Sequence, residues 1–359
     1  MHSHHGLQEQ RLMAAPLIVR DPDESGADIQ DVVVLFHDFA FRDPNAILLG
    51  LRQGGHGGAH GAPAAPHDAP TSTMPMGHGA MDHGAIRHGQ PAMPAVHLHD
   101  VEYDAFLAND RTLDDPALFR VERSGRVRLR LINAATATNL WLDLDRLQGR
   151  LIAVDGVPIE PITGSRFEFV IAQRLDLLIN LPREQGAWPV FAVREGDTKR
   201  TGFVLATKGS VIVRQSADAQ HRADAVGLQL ERRLRAAVPL PQRTAGRRHT
   251  VTITEAPGYV WMLNGAVHGE HKPLSVRPGE RVEITFVDQK TMAHPMHLHG
   301  HHFQVVAING HRFAGAVRDT VLVPARGQRD HRVRGKQFRQ VGAALPSSLP
   351  YGRWHDDHG

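Results

Sequence analysis

Two histidine clusters contain the residues best suited to chemistry. His2 and His4 lie near the start of the sequence, and His294, His297 and His299 lie within one short stretch. Residues two apart on a β-strand project to the same face, so each cluster would present two imidazoles side by side. Imidazole is a ligand for copper, zinc, iron and nickel. A single histidine is more often a surface or core residue, but two such pairs in one chain predict a metal site.

The absence of cysteine and of two other metal-site signatures restricts the kinds of metal site and catalysis that this sequence can support. The 359 residues include 25 histidines and no cysteine. This excludes disulfides, cysteine-ligated zinc and thiol nucleophiles within the sequence. The His-Glu-x-x-His zinc signature is absent, and no glutamate follows the second histidine cluster at the spacing of a cupin-like site.

Charge and hydropathy argue against two classes of partner. The formal net charge is only +3, and the arginines lack interleaved aromatic residues, so we predict no nucleic-acid binding. No apolar run approaches the roughly 18 residues of a transmembrane helix, so we predict no membrane insertion. The first residues show neither the basic nor the apolar region of a signal peptide, so the chain as written is expected in the cytoplasm.

Most of the chain is patterned as short β-strands. Residues 126–132 alternate polar and apolar side chains with period two, and residues 31–36 are typical of a buried strand. Further strands are predicted at 151–154, 167–169, 175–181, 190–193, 250–254, 281–287, 303–308 and 320–323. Turn pairs such as Asp155-Gly156 and Asn309-Gly310 separate them. The pattern predicts an all-β protein of sandwiches or barrels, with one helix near 228–237.

Residues 53–99 differ in composition, being rich in His, Met, Gly and Pro and free of Phe, Trp and Tyr. Such a stretch buries too little apolar surface to offset its ordering entropy, so we predict a flexible segment. Thioether sulfur suits Cu(I) and imidazole suits both copper states. Loose copper capture and a plain linker of biased composition both stay open. The candidate ligands are Met74, Met76, Met81, Met93, His56, His60, His67, His78, His83 and His88.

The second histidine cluster, His294-Pro-Met-His297-Leu-His299-Gly-His-His-Phe, closely resembles the third copper motif of the multicopper oxidases. Residues 1–6 resemble their second motif. Shorter stretches extend the resemblance to bacterial three-domain members, the laccase-like and copper-resistance oxidases: Leu131-Ile-Asn-Ala, Val154-Asp-Gly, Leu263-Asn-Gly and Arg318-Asp-Thr-Val.

This resemblance implies a fold, a reaction and a set of copper ligands. The fold would be tandem cupredoxin domains, each a Greek-key β-sandwich. A type 1 copper would take single electrons from a small reducing substrate, a phenol or Cu(I), and a trinuclear type 2/type 3 cluster would reduce dioxygen to water. By motif position, His2 and His4 would be type 3 ligands, His294 a type 1 ligand, His297 a type 2 ligand and His299 a type 3 ligand. The family is periplasmic.

The resemblance also divides the chain into five parts. They are a remnant of a first cupredoxin domain (1–52), the flexible Met/His-rich segment (53–96), a second cupredoxin domain (97–240), an incomplete third domain (241–324) and an aberrant tail (325–359) in which the strand pattern ends.

Two of the family's four motifs are missing. The first, His-x-His-Gly, would precede residue 1, so we expect an N-terminally truncated chain. The fourth, His-Cys-His-x-x-x-His followed by Met, is absent because there is no cysteine. Two histidines and one cysteine define a blue-copper site, so we expect partial copper sites and no oxidase turnover. The alternative function is a non-catalytic copper-binding or copper-buffering protein.

The tail suggests how the fourth motif was lost. Back-translated with full codon degeneracy and read one base later, residues from about 327 onward permit Val-Thr-Ile-Ala-Phe and then His-Cys-His-His-Leu-Tyr-His-Met. The motif falls at the distance from the third motif that the family requires. We therefore predict a frameshift near residue 327, which requires that the codons of Leu345 and Pro346 allow TGC or TGT in the shifted frame.

Overall fold

The computed structural model describes residues 6–20, 26–54, 98–267, 270, 272–325 and, for the backbone alone, 331–335 and 343–344. The strands are β1 (Gln30–Phe39), β2 (Ala105–Ala108), β3 (Ala117–Arg120), β4 (Arg126–Asn133), β5 (Leu140–Asp143), β6 (Gly149–Val154), β7 (Val157–Gly164), β8 (Arg166–Phe169), β9 (Arg174–Asn180), β10 (Ala187–Arg194), β11 (Arg200–Ala206), β12 (Arg247–Ala256), β13 (Val260–Leu263), β14 (Val282–Asp288), β15 (His294–Leu298), β16 (Phe303–Ile308), β17 (His311–Arg312), β18 (Val317–Arg318), β19 (Thr320–Val323), β20 (His331–Gly335) and β21 (Ala343–Ala344). The helices are α1 (Pro44–Arg52), α2 (Gln229–Arg233) and a 3-10 turn at Glu9–Arg11. In the described part of the chain, no helix is long and apolar enough to cross a membrane.

Strands β1–β11 form one β-sandwich, called here the N-terminal sandwich. One sheet has the order β2-β1-β4-β9-β6-β7 and the other β3-β11-β10-β5-β8. Alternate residues of the strands meet in one core, where Leu129, Leu177 and Phe203 are fully buried. The opposite face of β9 carries Arg174 and Asp176, because successive side chains of a strand point to opposite faces.

Strand β1 lies inside this sandwich, whereas the family resemblance implies that residues 1–52 are the remnant of a first domain. It pairs in parallel with β4 and antiparallel with β2. Its residues Val32, Val34 and Phe36 pack in the same core as β4 and β9, and the Phe36 ring lies 5.9 Å from that of Phe169. Residues 30–39 therefore belong with the strands that follow, and the Met/His-rich segment connects two neighbouring strands of one sheet.

Strands β12–β21 form the C-terminal sandwich. Its larger sheet has the order β13-β12-β14-β20-β16-β17, with β18 beside β16, and its smaller sheet the order β19-β15-β21. The core between them contains Ile253, Phe303, Val305 and Val321, all at most 1% exposed.

Strand β20 corrects the expectation that no strand follows Pro324. The backbone of His331–Gly335 pairs with β14 on one side and β16 on the other. Each of these neighbours presents a row of backbone donors and acceptors that must be paired when buried. An extended segment satisfies them even when its sequence is rich in arginine and poor in aliphatic residues.

The predicted strands are present to within three residues at each end, and the all-β prediction is confirmed. The prediction of a single helix is wrong. Helix α2 occupies part of 228–237, but α1 was missed. Asp43 caps α1 by accepting from the backbone N–H of Asn45 at 3.2 Å, and Pro44 occupies its first turn. Nine residues give too few turns for a clear periodic pattern.

Candidate metal centre

Strand β15 directs its two histidines to opposite faces of its sheet. His294 shares a face with Met296 and Leu298, which are buried in the C-terminal core. His297 is three residues further along and therefore faces the other way. Its ring centroid lies 5.0 Å from that of His299, just beyond the strand. The two faces correspond to two separate candidate metal positions.

His294 is held in a buried, largely apolar environment. Its Nδ1 lies 2.7 Å from Oδ2 of Asp288, whose side chain is fully buried, and the Trp261 ring centroid lies 4.4 Å from its own. Among the described residues, Nε2 of His294 has no hydrogen-bond partner. In the same described part of the chain, Nδ1 of His37 and Nδ1 of His99 are also buried without a partner, so what distinguishes His294 is the carboxylate on its other ring nitrogen. A histidine that donates Nδ1–H to a carboxylate and keeps a lone pair on Nε2 has the arrangement common to metal ligands.

His297 has a similar arrangement on the other face. Its Nδ1 lies 3.0 Å from the backbone carbonyl oxygen of Asp319 and 3.1 Å from Oγ1 of Thr320. A carbonyl oxygen can only accept, so Nδ1 must donate to it and carry the proton. In the neutral form of the ring the lone pair is then on Nε2, which is the nitrogen left to bind a metal ion.

Asp319 connects His297 to the N-terminal sandwich. Arg174 of β9 donates from Nη1 and Nη2 to its two carboxylate oxygens, at 2.8 and 2.5 Å. Burial raises the pKa of the Asp319 carboxyl, but two other contacts outweigh burial and hold that pKa below its ordinary value. These are the His297 ring, whose Nδ1 lies 3.5 Å from Oδ1, and the two Arg174 hydrogen bonds. The group beside His297 is therefore an ionised acceptor fixed from across the domain interface.

A second ion-pair cluster also joins the two sandwiches, next to the contact between Arg174 and Asp319. Arg318 donates from Nε to Oδ2 of Asp155 at 2.9 Å and from Nη1 to Glu231. The same Asp155 oxygen accepts from the backbone N–H of Thr320 at 3.2 Å. Asp155 sits in the predicted Asp155-Gly156 turn, where both residues have positive φ angles of 51° and 76°. The turn thus places a carboxylate of one sandwich against the start of β19 in the other.

The sequence-predicted ligands are only partly brought together. His2 and His4 lie outside the described residues. His297 and His299 are adjacent, whereas His294 is on the other face of β15. Within the described part of the chain, no group of three His, Cys, Asp or Glu side chains is arranged to hold a metal ion. The copper-ligand roles of the five histidines therefore stay predictions.

Sequence reasoning missed the residues that orient these histidines. Asp288 is separated from His294 by a turn and had no motif signal. Asp319 lies within the Arg318-Asp-Thr-Val stretch, whose resemblance to the family does not indicate that its carboxylate lies beside a histidine. Arg174 is 145 residues from Asp319, and only the folded chain brings them together.

Comparison with known proteins decides the family. Two family models, both described as "Multicopper oxidase", match residues 67–216 and 238–338, which together span more than half of the chain. The chain belongs to the multicopper oxidase family. Copper is the cofactor of this family, so the copper prediction is confirmed at that level, as are the family resemblance and the cupredoxin-like fold.

Individual relatives agree with this family. Multicopper oxidase MmcO of Mycobacterium tuberculosis is 27% identical over 331 residues, covering 90% of this chain and 60% of that protein. Copper resistance protein A of Escherichia coli is 26% identical over 215 residues, covering 57% of this chain and 34% of that protein. The laccase of Botrytis aclada superposes with a TM-score of 0.66 at 19% identity, covering 93% of this chain and 64% of that chain. This multicopper oxidase chain thus spans about 60% or less of the length of the curated relatives.

Proposed function

We propose that this chain is an oxidoreductase of the multicopper oxidase type that binds copper through His294, His297 and His299 but does not turn over as an oxidase in the form given. The observation that carries the proposal is the buried, unpartnered Nε2 of His294 beside the buried Asp288 carboxylate. An apolar core does not leave an imidazole nitrogen unsatisfied without cost, and a bound metal ion would remove that cost.

The donor set fits copper. Both His294 and His297 hold Nδ1–H against oxygen acceptors, which leaves Nε2 as a neutral nitrogen ligand of the kind copper prefers. His299 would add a third imidazole next to His297. Bound copper would supply one-electron chemistry between its two common oxidation states. Asp288 fixes the ring of His294, and the Trp261 ring packs against it.

The composition supports the proposal that this chain does not turn over as an oxidase. With no cysteine among the 359 residues, no thiolate can join His294 in a blue-copper site. A relative that retains this thiolate would use phenols or Cu(I) as electron donors and dioxygen as acceptor. We propose that substrate class, and a periplasmic site of action, for a form of this protein that carries the thiolate. We do not propose them for the cysteine-free chain.

A copper titration of the purified full chain tests the proposal. We expect Cu(II) binding with nitrogen hyperfine structure in the electron paramagnetic resonance spectrum. Binding should weaken at least tenfold at one position in His294→Ala and at the other position in His297→Ala. His311→Ala is the matched control, because His311 is exposed on β17, and it should bind as the wild type does. Binding that is unchanged in a His294→Ala/His297→Ala double variant would overturn the proposal. A blue absorption band, or oxygen consumption with a phenolic donor, would contradict the proposed lack of oxidase turnover.

The composition of the Met/His-rich segment favours copper buffering as a second candidate function. The segment itself lies outside the described residues, but it joins α1, directly after β1, to the chain that leads into β2. Replacing Met74, Met76, Met81 and Met93 with Leu in the full chain should weaken Cu(I) retention against a chelator while leaving Cu(II) binding at His294 intact. Unchanged Cu(I) retention would remove this candidate.

A further inference from the structure

We propose that Arg174 of the N-terminal sandwich is a positioning residue for His297 in the C-terminal sandwich. By holding the Asp319 carboxylate, Arg174 orients the Thr320 hydroxyl as a second acceptor for Nδ1 of His297. It thereby strengthens the preference, set in part by the Asp319 backbone carbonyl, for a ring with its proton on Nδ1 and Nε2 free to bind a metal ion. The inference rests on the proposed function, in which His297 is a copper ligand.

The hydroxyl of Thr320 sets the direction of the hydrogen bonds. Its Oγ1 donates to Oδ1 of Asp319 at 2.9 Å, because an ionised carboxylate can only accept. A hydroxyl has one proton, so Oγ1 has only a lone pair to offer to Nδ1 of His297, 3.1 Å away. The backbone carbonyl of Asp319 offers a second acceptor to the same nitrogen at 3.0 Å. Both contacts require the Nδ1–H form of the ring, whereas free imidazole side chains in water favour Nε2–H.

Arg174 holds this arrangement because each of its two terminal guanidinium nitrogens donates two hydrogen bonds. Nη1 donates to Ala172 O and to Asp319 Oδ1, at 3.1 and 2.8 Å. Nη2 donates to Asp155 O and to Asp319 Oδ2, at 3.3 and 2.5 Å. A planar two-point contact fixes the rotation of the carboxylate, which a lysine ammonium cannot do. The orientation of Oδ1, and with it the proton of Thr320, therefore depends on Arg174.

The contact between the two sandwiches does not depend on Arg174 alone. Arg318, Asp155 and Glu231 form a second buried link across the same boundary, and this link shares Asp155 with the Arg174 contact. Arg174→Lys keeps the charge and this second link while removing the planar fork. The variant therefore separates positioning of His297 from a general loss of the domain contact.

The direct test is the tautomer of His297 in the metal-free full chain. Long-range ¹H–¹⁵N correlation at pH 8 should show the wild-type ring as Nδ1–H, with the signal assigned by its loss in His297→Gln. In Arg174→Lys, and independently in Thr320→Val, we expect a shift toward Nε2–H. Arg128→Lys is the matched control, since Arg128 forks onto Asp31 at 2.6 and 3.2 Å within the N-terminal sandwich. A pure Nδ1–H signal retained in Arg174→Lys would overturn the inference.

Copper affinity gives the second readout. Removing a group that orients a metal-binding histidine weakens binding by about 10- to 100-fold, so we expect Arg174→Lys to bind Cu(II) at least tenfold more weakly than Arg128→Lys. If the wild type binds no copper through His297, the proposed function fails while the tautomer shift still decides the role of Arg174. If copper binds equally in both variants and the tautomer is unchanged, this inference alone fails.

Discussion

Arg318 and Asp155 form an ion pair across the two sandwiches with both side chains buried, 1% and 0% exposed, and 2.9 Å between Nε and Oδ2. Glu231 shares the same guanidinium. The pair joins residues 163 positions apart. Two buried carboxylates thus share the Arg318 guanidinium, and Arg174 adds a second cation 3.6 Å from Oδ1 of Asp155.

Arg318→Ala should therefore destabilise the protein strongly. Removing one partner of a buried ion pair leaves uncompensated charge and costs about 3–5 kcal/mol. Urea unfolding of the full chain measures the free energy of unfolding. Arg214→Ala is the control, because Arg214 pairs with Asp114 at an exposed site, and it should cost at most about 1 kcal/mol. Equal losses in the two variants would mean that the interface cluster has no special role.

Phe36→Ala tests the placement of β1 in the N-terminal sandwich. Phe36 is fully buried, with its ring 5.9 Å from that of Phe169 and 6.4 Å from that of Phe203. Truncating a buried phenylalanine costs about 3–5 kcal/mol through lost burial and the remaining cavity. Leu49→Ala on α1, at a side chain 57% exposed, should change the free energy of unfolding by less than about 0.5 kcal/mol. A Phe36→Ala effect as small as that of Leu49→Ala would place β1 outside the core.

Glu195 should make stability depend on pH near neutrality. Burial raises its pKa from 4.5 to about 7, despite hydrogen bonds from Val226 N–H and the Asn139 side chain that lower it. Between these two values the native state keeps a proton that the unfolded chain has lost, so stability falls as pH rises. Glutamine does not titrate, so the unfolding free energy of the wild type relative to Glu195→Gln should fall by about 3 kcal/mol from pH 4.5 to pH 7 and then level off. Urea titrations across this range measure it; a difference that stays constant or rises would contradict the raised pKa.

The strands were predictable from sequence because each needs only local information. Period-two alternation in 126–132 and turn pairs such as Asn309-Gly310 determine where strands run and stop. The sheet neighbour of each strand was not predictable in the same way. Placing β1 beside β4, or β20 between β14 and β16, depends on backbone pairing across long stretches of chain.

The candidate site also combines features that the sequence predicts with features that it does not. The spacing of His297 and His299 predicts adjacent rings, and the rings lie 5.0 Å apart. Nothing in the spacing of His294 reveals that Asp288 and Trp261 enclose it. Groups that orient a ligand act through hydrogen bonds to distant residues, and such partners leave no periodic signal.

The reading frame of the tail is the last prediction, and the gene's nucleotide sequence tests it directly. Reading one base later from about residue 327 should give an alternating strand and then His-Cys-His-His-Leu-Tyr-His-Met. The strand would overlap the position that His331–Gly335 occupies between β14 and β16. Restoring the frame by a single-base change should produce a chain with a thiolate and a blue absorption band on copper loading. Codons at Leu345 and Pro346 that permit neither TGC nor TGT in the shifted frame would end the hypothesis, as would a restored chain that stays colourless with copper.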